Sequence, residues 1–303
     1  MATAHDHGLH HHHRHAPARD AARAIGFAFW LNLGFAILEF IGGHWAGSTA
    51  IMANAVHDFG DSLAIGFGWS MSLLARRGAS ETFSYGFGRL SLFGALVNGV
   101  ILVLGSAWVL WQAVPRLAAP VMPDASGMVA LAVLGVTVNG IAAWRLAGGA
   151  TLNERMLNWH LLEDVLGWTV VLVAGAALLV VNWPILDPLL SIALTGLILF
   201  NVLRNLARTG LLFFQASPDA ALVREVTAKL RAVQHVVDLH HLHLWSLDGE
   251  RHVLTVHLDV DEPLTNAVQQ RIKTAVAQAL ATYHFAHTTI EIEQAEELCR
   301  DAP

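Results

Sequence analysis

"TAIMANAVHDFGDSLAIGFGWSMSLL", residues 49–74, is apolar almost throughout, yet His57, Asp58 and Asp61 sit near its middle. The run is long enough to cross a hydrocarbon core of roughly 30 Å. Ionisable groups at that depth are costly and mark ion or proton pathways. The stretch therefore poses both the fold question and the function question.

The rest of the chain answers the first. Of 303 residues, 54% are hydrophobic and only 14% charged, which is too apolar for an ordinary soluble domain. Apolar stretches recur at 24–43, 49–74, 88–113, 126–147, 157–181 and 186–211. Six helical spans are expected. Arg14, Arg19 and Arg23 precede the first, and Arg76, Arg77 and Arg89 flank the loop between the second and third. Arg145 and Arg155 bracket the loop between the fourth and fifth, and Arg204 and Arg208 close the sixth. The opposite loops hold only Arg116, Asp124 and Asp187, so both termini are expected in the cytoplasm. The first twenty residues are polar and His-rich, unlike a cleavable signal peptide.

Three zones follow: a disordered His-rich tail at 1–20, a membrane body at 21–212 and a cytoplasmic unit at 213–303. In the last zone "AALVREVTAKLRAVQ" (220–234) has helical spacing, while "VVDLHHLHLWSL" (236–247) and "RHVLTVHLDVD" (251–261) alternate as strands do. A second helix at 264–283 leads into a strand at 287–294. The expected fold is an α-helical membrane protein with six transmembrane helices plus a small cytoplasmic α+β, ferredoxin-like, C-terminal domain.

His57 and Asp61 are four residues apart and so share one helix face. "LNWHLLEDVLGW" (157–168) repeats the pair as His160 and Asp164. Two such pairs on two spans offer two imidazole nitrogens and two carboxylate oxygens, a set suited to tetrahedral Zn²⁺. The two carboxylates also balance one divalent cation. Ligands must be deprotonated to bind, so metal affinity is linked to pH, and a proton gradient can drive export. Asp58 and Glu163, each one position off the ligand face, are expected at other helix contacts or a water-filled vestibule. Asn54, one turn before His57, is placed to support the site.

Six spans, paired HxxxD motifs and a small α+β tail domain resemble the cation diffusion facilitators, a family of zinc-exporting, proton-coupled transporters. "AILEFIGGHWAGSTAIMANAVHDFGD" (36–61), with Glu39, Gly43 and Ser48, resembles the family's first-to-second span signature. "YGFGRLSLFGALVNGV" (85–100), "DPLLSIALTGLIL" (187–199), "LHHLHLWSL" (239–247) and "HTTIEIE" (287–293) extend the likeness to nearly the whole chain after residue 20. The resemblance implies a homodimeric antiporter of a bacterial inner membrane. It would use His57, Asp61, His160 and Asp164 to move Zn²⁺ against protons, with no organic cofactor. Cadmium, cobalt, nickel and iron are further substrates of this kind. It also implies that His240, His257 and Glu293 bind a regulatory zinc in the cytoplasmic domain. The loop "ETFSYGFGR" (81–89) has phenylalanines, Phe83 and Phe87, where some relatives carry metal-binding histidines, so that auxiliary site is expected to be missing. Many relatives also have Asp where this chain has Asn54.

Other polar groups have simpler readings. Strand alternation puts His241 and His243 on one sheet face and His240 on the other. Asp187 and Pro188 read as the N-cap and first residue of the sixth span. Asn32, Glu39, Asn98 and Asn139 read as interhelical hydrogen-bonding groups or cavity liners. The single cysteine, Cys299, excludes an intrachain disulfide framework and reads as an incidental tail thiol. Seven histidines at 5–15 are placed to gather metal loosely. With a net charge of -6 and no basic block, nucleic acid is excluded as a partner. Two competing functions are a nontransporting metal sensor or scaffold, and an intramembrane metalloenzyme. The intact ligand pairs argue against the first, and the lack of an HExxH motif against the second.

Overall fold

The computed structural model describes residues 18–74, 79–146, 152–294, 297 and 299, with side chains described outside 18–25, 27–28, 68, 71–73, 145–146 and 152–160. The histidine tail lies outside the described residues. Six long helices come first: α1 (Ala18–Ala46), α2 (Thr49–Leu74), α3 (Leu90–Ala118), α4 (Ala125–Leu146), α5 (Leu152–Val180) and α6 (Leu186–Phe213). Among the described residues, stretches in α3, α4, α5 and α6 are long and apolar enough to cross a membrane. The remaining two, α1 and α2, carry Glu39, His57, Asp58 and Asp61.

The helices pack mainly as the pairs α1 with α2, α4 with α5 and α3 with α6, with α2 also against α3 and α6. Trp168, Met128, Ile51, Val171 and Leu178 form a buried cluster that joins α2, α4 and α5. Between α1 and α2 the chain reverses at Gly47, whose φ of +63° is one that glycine adopts without a Cβ penalty.

Asp187 does not cap its own helix. It lies in the first turn of α6 after Ile185, and its carboxylate crosses to the start of α2. There it accepts from the Ser48 hydroxyl at 2.6 Å, the Thr49 amide and hydroxyl both at 2.8 Å, and the Ala50 amide at 3.2 Å. Helix α2 begins with unpaired amides and a positive dipole end, which the buried carboxylate from α6 satisfies.

After the six helices come α7 (Ala220–Arg231), β1 (Val236–Ser246), β2 (His252–Val260), α8 (Asn266–Leu280) and β3 (Phe285–Gln294). The sheet order is β1-β2-β3, with β1 antiparallel and β3 parallel to β2. A parallel neighbour needs a crossover, and α8 supplies it. Asp219 and Thr265 cap α7 and α8, accepting from the Ala221 and Val268 amides. Leu254, Val256, Leu258 and Val260 pack with Val226, Leu230, Ile272 and Val276 of the two helices into one core.

This α/β unit touches the helical body at the start of α3. Tyr85 sits edge-on to Trp245 and His287, Ser91 donates to the Asp248 carbonyl at 3.1 Å, and Arg89 lies over the Trp245 ring.

Candidate functional site

Helix periodicity places His57 and Asp61 on one face of α2, and Nε2 of His57 lies 3.6 Å from Oδ2 of Asp61. Asp164 of α5 approaches the same point. One ligand atom each from His57, Asp58, Asp61 and Asp164 lies within 4.8 Å of the other three. The side chain of His160 is outside those described; its backbone stands one turn before Asp164 on α5.

Asp58 makes a helix contact of the kind expected, with Asn32 and Glu39 of α1, and also lies close to the other cluster residues. It is one residue round the helix from His57, yet it is buried and belongs to the cluster. Offset on one helix does not remove a residue from a site when a second helix packs between the two directions. Glu163, at the matching offset on α5, is exposed.

The support around Asp58 is extensive. Asn54 donates to its carboxylate at 3.4 Å. Asn32 of α1 donates to the Asp58 carbonyl and to Ser62 Oγ, and Ser62 donates to the same carbonyl. The Glu39 carboxyl, fully buried, adjoins both Asp58 and Asn54. Glu39 and Asn54 both lie on the side of the cluster toward the α1–α2 turn, so the polar groups continue from the cluster in that direction. One imidazole and three carboxylates at this spacing are donors of the kind a divalent cation takes, and Asp58 among them is held by hydrogen bonds to neighbouring groups.

A second cluster lies on the sheet. His257 alternates with the core residues of β2 and so faces away from the helical layer. His240 is its partner in the strand register. Its Nε2 is 3.2 Å from Glu293 Oε2, and His257 Nδ1 is 2.7 Å from Glu293 Oε1. The expected opposition of His240 and His241 fails. A bulge between His240 and His243, with His241 at φ +47°, breaks the alternation. The His241 ring then lies 5.2 Å from both His240 and His257. Cys299 also lies beside this cluster, with its sulfur 3.6 Å from His257 Nδ1.

The cross-helix role of Asp187 was missed in the sequence, and the closeness of Asp58 and Cys299 to the two clusters was not foreseen. Asp58 had a visible signal, a third ionisable group inside an apolar run. Cys299 and Asp187 lie against residues far off in the chain, and no local pattern marks those contacts.

The chain is similar to known metal transporters. Residues 25–212 match the cation efflux transmembrane domain, and residues 218–295 match the cation efflux protein cytoplasmic domain. The zinc transporter ZitB of Escherichia coli (strain K12) is 30% identical over 298 residues, covering 97% of this chain and 93% of that protein. A cadmium, cobalt and zinc/H(+)-K(+) antiporter of Bacillus subtilis (strain 168) is 27% identical over 89% of this chain and 88% of its own. The metal cation efflux system protein CzcD of Cupriavidus metallidurans is 28% identical over 95% and 91%. With a helical membrane domain, a C-terminal α/β domain and two family models that together span most of its length, the chain belongs to the cation diffusion facilitator family, whose members are cation transporters and not enzymes.

Proposed function

We propose that this protein exports Zn²⁺ from the cytoplasm in exchange for protons by alternating access. The observation that carries the reading is the meeting of His57 and Asp61 of α2 with Asp164 of α5 inside an apolar helical body. His160, one turn from Asp164, supplies the fourth ligand. In this reading α1 and α2 cross the membrane with the other four helices, giving six spans with both termini in the cytoplasm of a bacterial inner membrane. The chain divides into a tail at 1–20, a transport domain at 21–212 and a regulatory and dimerisation domain at 213–303. A homodimer joins through the last of these. Two nitrogens and two oxygens favour zinc, with cadmium and cobalt accepted less well. His240, His257 and Glu293 form a cytoplasmic regulatory metal site.

Proton exchange follows from the ligand chemistry, because imidazole and carboxylate must shed protons to take metal and regain them on release. The names of the Bacillus relatives support the same coupling. The test is zinc uptake into proteoliposomes under an imposed pH gradient, wild type against Asp61→Ala. Flux that needs the gradient and vanishes in the variant is expected. Equal flux in both would overturn the ligand assignment, and wild-type flux indifferent to the gradient would overturn proton coupling.

A further inference from the structure

The cytoplasmic cluster holds more than three ligands. One atom each from His240, His257, Glu293 and Cys299 lies within 4.8 Å of the others. Tetrahedral zinc, with Zn–N near 2.0–2.1 Å and Zn–S near 2.3 Å, keeps its ligands about 3.5 Å apart. The distances around His257 Nδ1 bracket that value: 2.7 Å to Glu293 Oε1 and 3.6 Å to Cys299 Sγ. His240 Nε2 and Glu293 Oε2 face each other at 3.2 Å, and neither completes a hydrogen bond. Both Glu293 and His257 side chains are only 5% exposed.

A second observation points the same way. The far nitrogen of each imidazole faces a carboxylate. His240 Nδ1 is 3.4 Å from Asp259 Oδ2, and His257 Nε2 is 3.7 Å from Glu291 Oε2. A carboxylate behind a histidine fixes the tautomer and ring orientation and raises ligand basicity, an arrangement typical of zinc-binding histidines. Here it occurs twice, on the two histidines that share Glu293.

We propose that Cys299 is a metal ligand: with His257 Nδ1, His240 Nε2 and Glu293, its thiolate binds a zinc-type divalent cation and ties the chain beyond β3 to the sheet. This rests on the reading of His240, His257 and Glu293 as a metal site and adds the fourth ligand. Binding replaces the His257 to Glu293 hydrogen bond with two coordinate bonds: the ring shifts to the tautomer protonated at Nε2, toward Glu291, which frees the Nδ1 lone pair, and the thiol proton leaves to solvent. A thiolate among nitrogen and oxygen ligands favours zinc and cadmium over magnesium and calcium.

Cys299 is the single cysteine, so every thiol signal from the full-length protein reports on it. The test has two readouts on detergent-solubilised full-length protein. Saturating Zn²⁺ should slow alkylation of the thiol by a maleimide at least about tenfold, because a metal-bound thiolate is a poor nucleophile. Co²⁺ in place of zinc should give a thiolate-to-metal charge-transfer band in the near ultraviolet that Cys299→Ser abolishes. Undiminished alkylation together with no such band would overturn the proposal. Protection that persists in His240→Ala would likewise overturn it, by placing the thiol on metal held elsewhere. The underlying three-ligand reading fails separately. It falls if zinc affinity, measured in an Asp61→Ala background to remove the membrane site, is the same with and without His240→Ala.

Discussion

The carboxylate of Asp187, at the start of α6, accepts hydrogen bonds from both the amide and the hydroxyl of Thr49, at the start of α2, each at 2.8 Å. The link joins residues 138 apart in sequence and is wholly buried. Ser191, one turn along α6, adds a hydrogen bond to the Thr49 carbonyl at 3.0 Å. Arg116 of α3 donates to the Gly47 carbonyl, and the Asp124 amide before α4 donates to the Ala46 carbonyl. The α1–α2 turn is thus held from α6, α3 and the residue before α4, and α2 carries His57 about two turns and Asp61 about three turns further on. Where α2 starts decides where its ligands stand.

Asp187→Ala leaves the Thr49 and Ala50 amides buried without an acceptor. Unmet buried donors cost about 1–3 kcal/mol each, so a loss of about 3 kcal/mol is expected. Thermal unfolding in detergent should show it as a lowered Tm, and zinc flux in proteoliposomes should fall with it. Asp187→Asn keeps one acceptor oxygen and should recover part of both. An unchanged Tm in the alanine variant would show that the α2 terminus is held by other means.

Asp58→Asn tests whether Asp58 belongs to the membrane cluster. Asparagine keeps the shape and the contact with Asn54 while removing the charge. Loss of a group that supports metal ligands lowers affinity or activity by about 10–100-fold. Zinc uptake should drop by that order while Tm stays near wild type. Full uptake would return Asp58 to a structural role beside Asn32 and Ser62.

The HxxxD spacing was legible because helical geometry alone brings His57 to Asp61, and Asp164 of the second HxxxD stretch reaches the same point. The alternation of the three strands was equally plain, since the core positions of β2 differ from its outer ones in residue type. What escaped depends on partners set by tertiary packing. Nothing near Asp187 indicates that its acceptor capacity is spent on Thr49 rather than on α6. His241 changes face through a bulge, and two adjacent histidines do not announce one. The closeness of Asp58 to Asp61 and Asp164 depends on how α2 packs against α5, which its angle on one helix does not reveal.

Packing at Gly135 links the core to the membrane cluster. A Cβ on Gly135 of α4 would lie 2.3 Å from Cδ2 and 2.4 Å from Cε2 of Trp168, inside any real contact. The indole is fully buried and rigid, so it cannot yield as a flexible side chain would. Trp168 is one helical turn beyond Asp164 on α5. Gly135→Ala should therefore cost about 1–3 kcal/mol through overpacking and shift Asp164 from its partners. Calorimetric zinc affinity should fall along with Tm. A lowered Tm with unchanged affinity would show that α5 absorbs the strain without moving its ligand.

The last expectation concerns pH. His252 opens β2 next to the turn in which Asp248 accepts from the Arg251 amide at 2.7 Å and from its guanidinium at 2.6 Å. That turn also receives Ser91 of α3, so it lies where the α/β unit meets the helical body. Burial pushes the His252 imidazole below its ordinary value, and nearby His284 adds to this, against an opposing pull from Asp248. The folded state thus disfavours the protonated ring. A histidine with a depressed folded pKa contributes stability above its unfolded value, about 6.5, and that contribution is lost as pH falls below it. Unfolding of the full-length protein should become easier between about pH 6.5 and more acidic buffer, and His252→Gln should make the decline shallower. Identical slopes for wild type and variant would show that His252 carries no share of the acid sensitivity.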